Sequence, residues 1–404
     1  MKVGTKIGLA EPRLYLIGML LLIILPYCYP QHHFLYQKVA SYPQHFLVSG
    51  VVLVAVMVAL VITLFPSFKL RIRYDYFAKE VVLPRLLVQL SWLFIWVAII
   101  MNILIVAHGI AVFDGNIHTS KQSLEDFGGI NIISQFYMFF TPIVLYDGLS
   151  KGSKHVKYVM FFLGAILLLR TGFLAERVAF LEFLVPVLVT LAFVKKIKIS
   201  LSAIIRYTVL FLLFFVALEL TRQFYIQYIV RGDQDVDVYF ALSWSFERFF
   251  AYYADTQNKL YFLLENNLGF TQANYLYFVD RLMGRVGGVS SDTNIVDFGV
   301  HSWQDFTNIG GLSALFLDFS YFGIVAFVAM IGCFLILWKK LKQGSAFALA
   351  VYPHFVVGIL ELPRYVYFYL TRFVFAFILF VTVYSLILLI QSYVKHSRAS
   401  FLET

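Results

Sequence analysis

The stretch "LLLRTGFLAER", residues 167–177, sets Arg170, Glu176 and Arg177 between two apolar runs. On one continuous helix the two arginines, seven residues apart, would share a face about 10.5 Å apart along the axis. As two helix ends meeting at a turn, with Gly172 as the break, they would sit where two membrane spans surface. A membrane protein that keeps charge in or at the rim of a bilayer uses it on a substrate or pairs it within a helix bundle. Which of these applies depends on the side of the membrane the stretch faces, and so on the topology of the chain.

The 404 residues are 61% hydrophobic and 14% charged, with a mean hydropathy of +0.80. Apolar runs recur from end to end, which reads as an all-α polytopic membrane protein forming one membrane domain over 1–404. The 43 Phe and 26 Tyr suit lipid-facing surfaces and interfacial belts. Cys28 and Cys333 fall in different spans near opposite faces, so no disulfide is expected. No small-residue cleavage site follows the first apolar run, which therefore reads as a retained helix.

Ten spans are expected, at about 14–30, 46–65, 83–107, 129–147, 157–172, 177–194, 204–221, 311–337, 345–360 and 371–391. Nineteen Lys and Arg lie in alternate flanking segments, among them Lys2, Lys6 and Arg13, Lys151, Lys154 and Lys157, and Lys339, Lys340 and Lys342. The opposite short segments, 31–45 and 108–128, hold only Lys38 and Lys121. The positive-inside rule then places both termini in the cytoplasm. The net charge of +9 is thus mostly topological, and nucleic-acid binding is not indicated. One long segment, 222–310, falls on the non-cytoplasmic side, and 167–177 surfaces there too. The fifth span is short, so it must tilt, thin the bilayer locally or be buried in the bundle.

Two guanidiniums near a helix break suit a pyrophosphate, because each presents a rigid donor fork to phosphoryl oxygens. The alternative is that Arg170 and Arg177 snorkel to headgroups or pair with Glu176. In the outer segment, "VYFALSWSFERFFAYYADTQNKLYFLLENN" (238–267) is rich in rings and has neither Gly nor Pro. It reads as one or two helices at the outer interface or capping the bundle. Aromatic-belt anchoring accounts for most of these rings; a minority would stack on sugar faces, with Trp244, Tyr252 and Tyr253 as the candidates. The glycine-rich stretch 280–308 reads as a loop. Ser302 with Asp305 resembles a capping box that opens the next helix. That puts His301 and Asp305 about one turn apart at the mouth of the bundle, with Asp318 one to three turns further in. Such groups act as a base on a hydroxyl or simply cap and brace. His301 is the preferred acceptor because it needs no strained pKa near neutral pH, with Asp305 orienting it or the sugar.

The last outer segment is "LELPRYVYFYLTR" (360–372), in which Pro363 breaks the ninth span and Glu361, Arg364 and Arg372 flank the break. With Arg170 and Arg177 this makes four arginines expected on one surface. The nine histidines are scattered, without metal-ligand spacing, and there is no phosphate-binding glycine loop, so no cofactor is expected. Chemistry is then extracytoplasmic, on a substrate that arrives already activated.

This pattern resembles the Wzy-type oligosaccharide repeat-unit polymerases, the O-antigen and exopolysaccharide polymerases of bacterial envelopes. "LLLRTGFLAERVAFLEFLVPVLV" (167–189) is similar to the family's arginine-bearing turn and following apolar helix, and 222–310 to its large periplasmic loop. "TNIGGLSALFLDFSYFGIVAFVAMIGCFL" (307–335) resembles its threonine-to-Asp-Phe-Gly element, with Ser320 in place of the glycine after Asp318 and Phe319. The resemblance implies a bacterial inner-membrane enzyme acting on undecaprenyl-pyrophosphate-linked glycans. A flippase and a chain-length regulator in the same membrane would be its partners. Arg170, Arg177, Arg364 and Arg372 would hold pyrophosphate, and His301, Asp305 or Asp318 would serve catalysis. Rivals are the related O-antigen ligase, which would lean on a loop histidine, and a lipid-linked oligosaccharide flippase or other transporter. No internal repeat favours transport, although Glu182 and Glu219 within spans are what a transporter would also carry.

Overall fold

A computed structural model describes residues 7–28, 79–112, 128–174, 177–199, 238–265 and 310–402, and isolated helical positions between 202 and 220. Its elements, in chain order, begin with a two-residue strand β1 (Ile7–Gly8) and helices α1 (Pro12–Cys28), α2 (Arg85–Ala111), α3 (Gly128–Ile133) and α4 (Tyr137–Ser150). Then come α5 (Lys154–Leu174), α6 (Arg177–Val194), strand β2 (Lys198–Ile199) and α7 (Val238–Glu265). The chain closes with α8 (Gly311–Phe319), α9 (Gly323–Lys342), α10 (Ala346–Glu361) and α11 (Thr371–Leu402). Among the described residues four stretches are long and apolar enough to cross a membrane: Arg85–Ala111, Gly129–Ser150, Gly311–Lys342 and Thr371–Val394. The fold is therefore all-α and consistent with a multi-pass membrane protein. The second expected span and the loop bearing His301 and Asp305 lie outside the described residues.

The chain divides into two compact units. One comprises Tyr74–Ile197, Ile336–Val357 and Leu370–Thr404. Here α2 packs on α4 and α5, α6 packs on α4 and α5, and α11 lies against α2, α3 and α4. Three residues join α4 to α5, so the two run antiparallel. A ring cluster fills the middle. Phe139 and Phe140 meet Phe380, and Phe347 meets Phe380 and Tyr384. Such pairs each contribute about 0.5–1.5 kcal/mol beyond burial, which matters where lipid offers no hydrophobic drive between helices. Pro142 lies within α4 and cannot donate to the carbonyl one turn back, that of Met138. His354 Nε2 donates to it instead at 2.7 Å.

The other unit comprises Met1–Arg73, Lys198–Leu335 and Gly358–Tyr369. β1 pairs antiparallel with β2, Ile7 opposite Ile199. Glu11 accepts from the Gly8 amide at 3.0 Å and from Arg13 Nη2 at 2.6 Å, securing the start of α1. α7 is a single 28-residue helix, packed on α1 and α8.

One expectation needs correction. The break after Arg170 does not fall at Gly172: α5 continues to Leu174 and α6 opens at Arg177. A glycine inside a helix costs only about 1 kcal/mol, which packing overrides. The span expected from 311 is among the four long apolar stretches, and a 3-10 turn at Ser320–Phe322 separates α8 from α9 within it. Ser320 has φ 51° and ψ −137°, a backbone that glycine adopts freely and serine at a cost. This is the position where the resembled element carries glycine. At Gly323 an added Cβ would stand 2.8 Å from the Leu315 carbonyl oxygen, so the turn folds tightly back on α8.

Candidate functional site

Arg170 is the largest fully buried side chain among the described residues. It reaches inward from α5, four residues before the end of that helix. Its Nη1 donates to Asn102 Oδ1 on α2 at 2.7 Å and to Ser134 Oγ at 2.8 Å. Its Nη2 donates to Asn131 Oδ1 on α3 at 2.5 Å. Each acceptor is itself held. Asn102 Nδ2 donates to the carbonyls of Ala98 and Ser134, both at 2.8 Å, and Ser134 Oγ donates to the Asn131 carbonyl at 2.7 Å. The guanidinium is thus fixed by amide and hydroxyl dipoles from two segments of one unit, α2 and α3 with the turn that follows it. It does not snorkel, because none of it is exposed.

In the same unit, Arg372, the second residue of α11, pairs through Nε with Glu182 Oε1 on α6 at 2.9 Å. Glu182 is wholly buried. Arg177 opens α6, and its side chain lies outside the described ones, as does Glu176. Gln135, next to Ser134, is buried with neither amide atom bonded. The polar groups belong to the ends of these helices opposite the lysines of Lys151, Lys154 and Lys195, because α5 starts at Lys154 and α6 ends beside Lys195. Of the four candidate arginines, Arg170 and Arg372 are therefore placed within one unit.

Arg364 belongs to the other unit. Its Nη1 stands 3.3 Å from Glu361 Oε2, and its guanidinium lies 5.0 Å from the Tyr365 ring centroid. The turn that carries it is clasped by α7 and α8: Thr256 Oγ1 donates to the Pro363 carbonyl at 3.1 Å, and Ser313 Oγ to the Thr256 carbonyl at 3.3 Å. Gly311 packs directly on the Leu362 carbonyl. Tyr253, one turn before Thr256, feels this turn. Burial pushes its hydroxyl well above the usual phenol range, Glu361 pushes the same way and Arg364 opposes them. Asp318 is buried at the end of α8. Trp244 and Tyr252 lie on α7, with side chains outside the described ones.

Asn102, Asn131 and Ser134 were not among the residues singled out from the sequence. Asn102 did carry a signal, as a lone amide in the apolar run "WVAIIMNILIV" (96–106). No protein-family model, curated protein or solved structure matches the chain.

Proposed function

We propose that the chain is a polymerase of lipid-linked oligosaccharide repeat units, working at the non-cytoplasmic face of a bacterial cytoplasmic membrane. In this reading ten spans leave both termini in the cytoplasm and 222–310 outside. A hydroxyl of one lipid-linked unit attacks the anomeric carbon of the growing glycan. The bond from that carbon to the pyrophosphate oxygen breaks, and the lipid pyrophosphate leaves with the electron pair. The attacking hydroxyl's proton passes to a nearby base, His301, Asp305 or Asp318. Arg170, Arg177, Arg364 and Arg372 meet the charge that develops on the leaving group, and Trp244, Tyr252 and Tyr253 hold sugar faces.

The observation that supports this reading is the fixing of Arg170. A cation needs no reorganisation at the moment charge develops if its geometry is set beforehand, and it acts more strongly where water is excluded. Three bonded acceptors, one on α2 and two on α3 and the turn that follows it, set that geometry. The pairing of the buried Glu182 with the half-buried Arg372 favours a second reading as a lipid-linked oligosaccharide transporter. Reconstitution of the purified protein with a lipid-linked repeat unit separates them. A ladder of products supports the polymerase, transfer to lipid A core identifies a ligase, and movement across the bilayer without new linkages identifies a flippase. An Arg170→Ala protein that is membrane-inserted and makes a normal ladder would sink the role given to that arginine.

A further inference from the structure

α7 buries Phe249, Phe250, Leu260 and Leu263 as a surface helix would, but its first turns and its described ionised groups do not follow that pattern. Its first turns expose an apolar strip: Val238 is 62% exposed, Tyr239 78%, Leu242 46% and Phe246 38%. The spacing of three and four residues keeps these side chains on one face. Its described ionised groups are turned inward instead. Glu247, Arg248, Asp255 and Lys259 are all at most 6% exposed, with Lys259 Nζ 2.7 Å from Asp255 Oδ2. Ser245 and Thr256 are buried with them.

A surface helix in water turns its charge out and its apolar stripe in. Burying four ionised groups while leaving Tyr239, Leu242 and Phe246 outside is favourable only where the outside is less polar than the inside. We infer that the strip Val238–Tyr239–Leu242–Phe246 is immersed in the acyl chains of one membrane leaflet. The 28-residue helix then lies along the surface of that leaflet, with its described ionised groups turned into the protein. This stands apart from the polymerase reading and holds whatever the chain catalyses.

Three observations favour lipid over other occupants. α7 packs on α1 and α8, and the second of these begins a stretch apolar enough to cross a membrane. At 28 residues the helix is about 42 Å long, far more than the roughly 15 Å of hydrocarbon in one leaflet, so the strip meets acyl chains with the helix lying along the membrane surface. Asp233, Asp235 and Asp237 lie just before it in the sequence, which stops the apolar face abruptly, and Tyr239 beside that stop suits the headgroup boundary. A second copy of the chain is a poorer fit. Four side chains offer far less than the roughly 800 Å² per partner of a stable protein interface.

The test places nitroxide labels singly, by Tyr239→Cys, Leu242→Cys and Phe246→Cys, in a protein with Cys28 and Cys333 replaced by Ala and reconstituted in vesicles. Leu93→Cys on α2 serves as the reference for an exposed position on a membrane-crossing helix. Immersion predicts that labels at 242 and 246 collide with oxygen several-fold more than with a water-soluble nickel chelate, as at 93, with 239 intermediate. A preference for the nickel chelate puts the strip in water and overturns the inference. Dipolar broadening between copies assigns it to a dimer, and shielding from both quenchers assigns it to another part of the chain. Either result overturns it as well. A Leu242→Trp protein gives a second readout, since brominated acyl chains should quench the added fluorescence.

Discussion

His354 donates through Nε2 to the carbonyl of Met138 at 2.7 Å, and that carbonyl needs a donor because Pro142 has no N–H to give it. The imidazole joins α10 to α4 inside one unit by replacing a missing helix bond. His354→Leu should lower stability by roughly 0.6–2 kcal/mol, the range for hydrogen bonds between membrane helices. Adding Pro142→Ala should restore an intrahelical donor and recover part of that loss. Thermal midpoints of the two single variants and the double variant in one detergent provide the check. Strictly additive changes would mean that the proline and the histidine are not coupled.

The Arg170 cage makes a similar demand on its neighbours. Asn102→Leu should cost about 1–3 kcal/mol, because it leaves a buried guanidinium short of an acceptor. Arg170→Lys should hold the protein in the membrane but reach fewer of the three acceptors, a point charge standing in for a fork. Denaturant midpoints should fall for both. On the proposed polymerase reading, the product ladder of Arg170→Lys should weaken more than its loss of folded protein accounts for.

At Ser320 the backbone has positive φ, and serine bears a strain that glycine does not. Ser320→Gly should raise stability by about 1 kcal/mol, and Ser320→Val should lower it by a similar amount or more. Equal midpoints for the two variants would show that the turn relaxes.

Glycines on helices should separate by what stands beside them. A Cβ at Gly311 would lie 1.9 Å from the Leu362 carbonyl oxygen, whereas one at Gly332 meets nothing within 4 Å. Gly311→Ala should cost at least about 1–3 kcal/mol through forced backbone movement. Gly332→Ala should add about 0.5–1 kcal/mol through helix propensity. Parallel melting curves decide between these signs.

Tyr253 gives a pH dependence. Its hydroxyl is raised above the ordinary phenol range of about 10 by burial first and Glu361 second, against Arg364. Below that range both folded and unfolded chains keep the proton and the group adds no slope. Above it the unfolded chain releases the proton first, so stability falls as pH rises towards the folded value. Tyr253→Phe should reduce that alkaline slope in unfolding measured from pH 8 upward.

Membrane character and the larger helices were legible because apolar runs of span length are a one-dimensional signal. α6 begins and ends where its run does, and α10 lies within a residue of its expected limits. The turn after α8 was not legible, since no glycine or proline stands at Ser320 and the constraint is the close approach of Gly323 to Leu315. Arg170 was legible as an anomaly. Its partners Asn102 and Asn131 lie 68 and 39 residues away in the chain, and only packing brings them to it. The direction of charge on α7 was likewise hidden: its sequence is amphipathic either way, and the surroundings decide which face turns out.

The two-residue pairing of Ile7 with Ile199 also imposes an order in time. At 5–20 residues per second, a ribosome needs about 10–40 s to make the roughly 190 residues that separate the partners. Until then the first strand has nothing to pair with, although α1 next to it is long since complete. Nascent chains stopped before Lys198 should leave Ile7 and Gly8 open to protease, and chains extended past Ile199 should protect them.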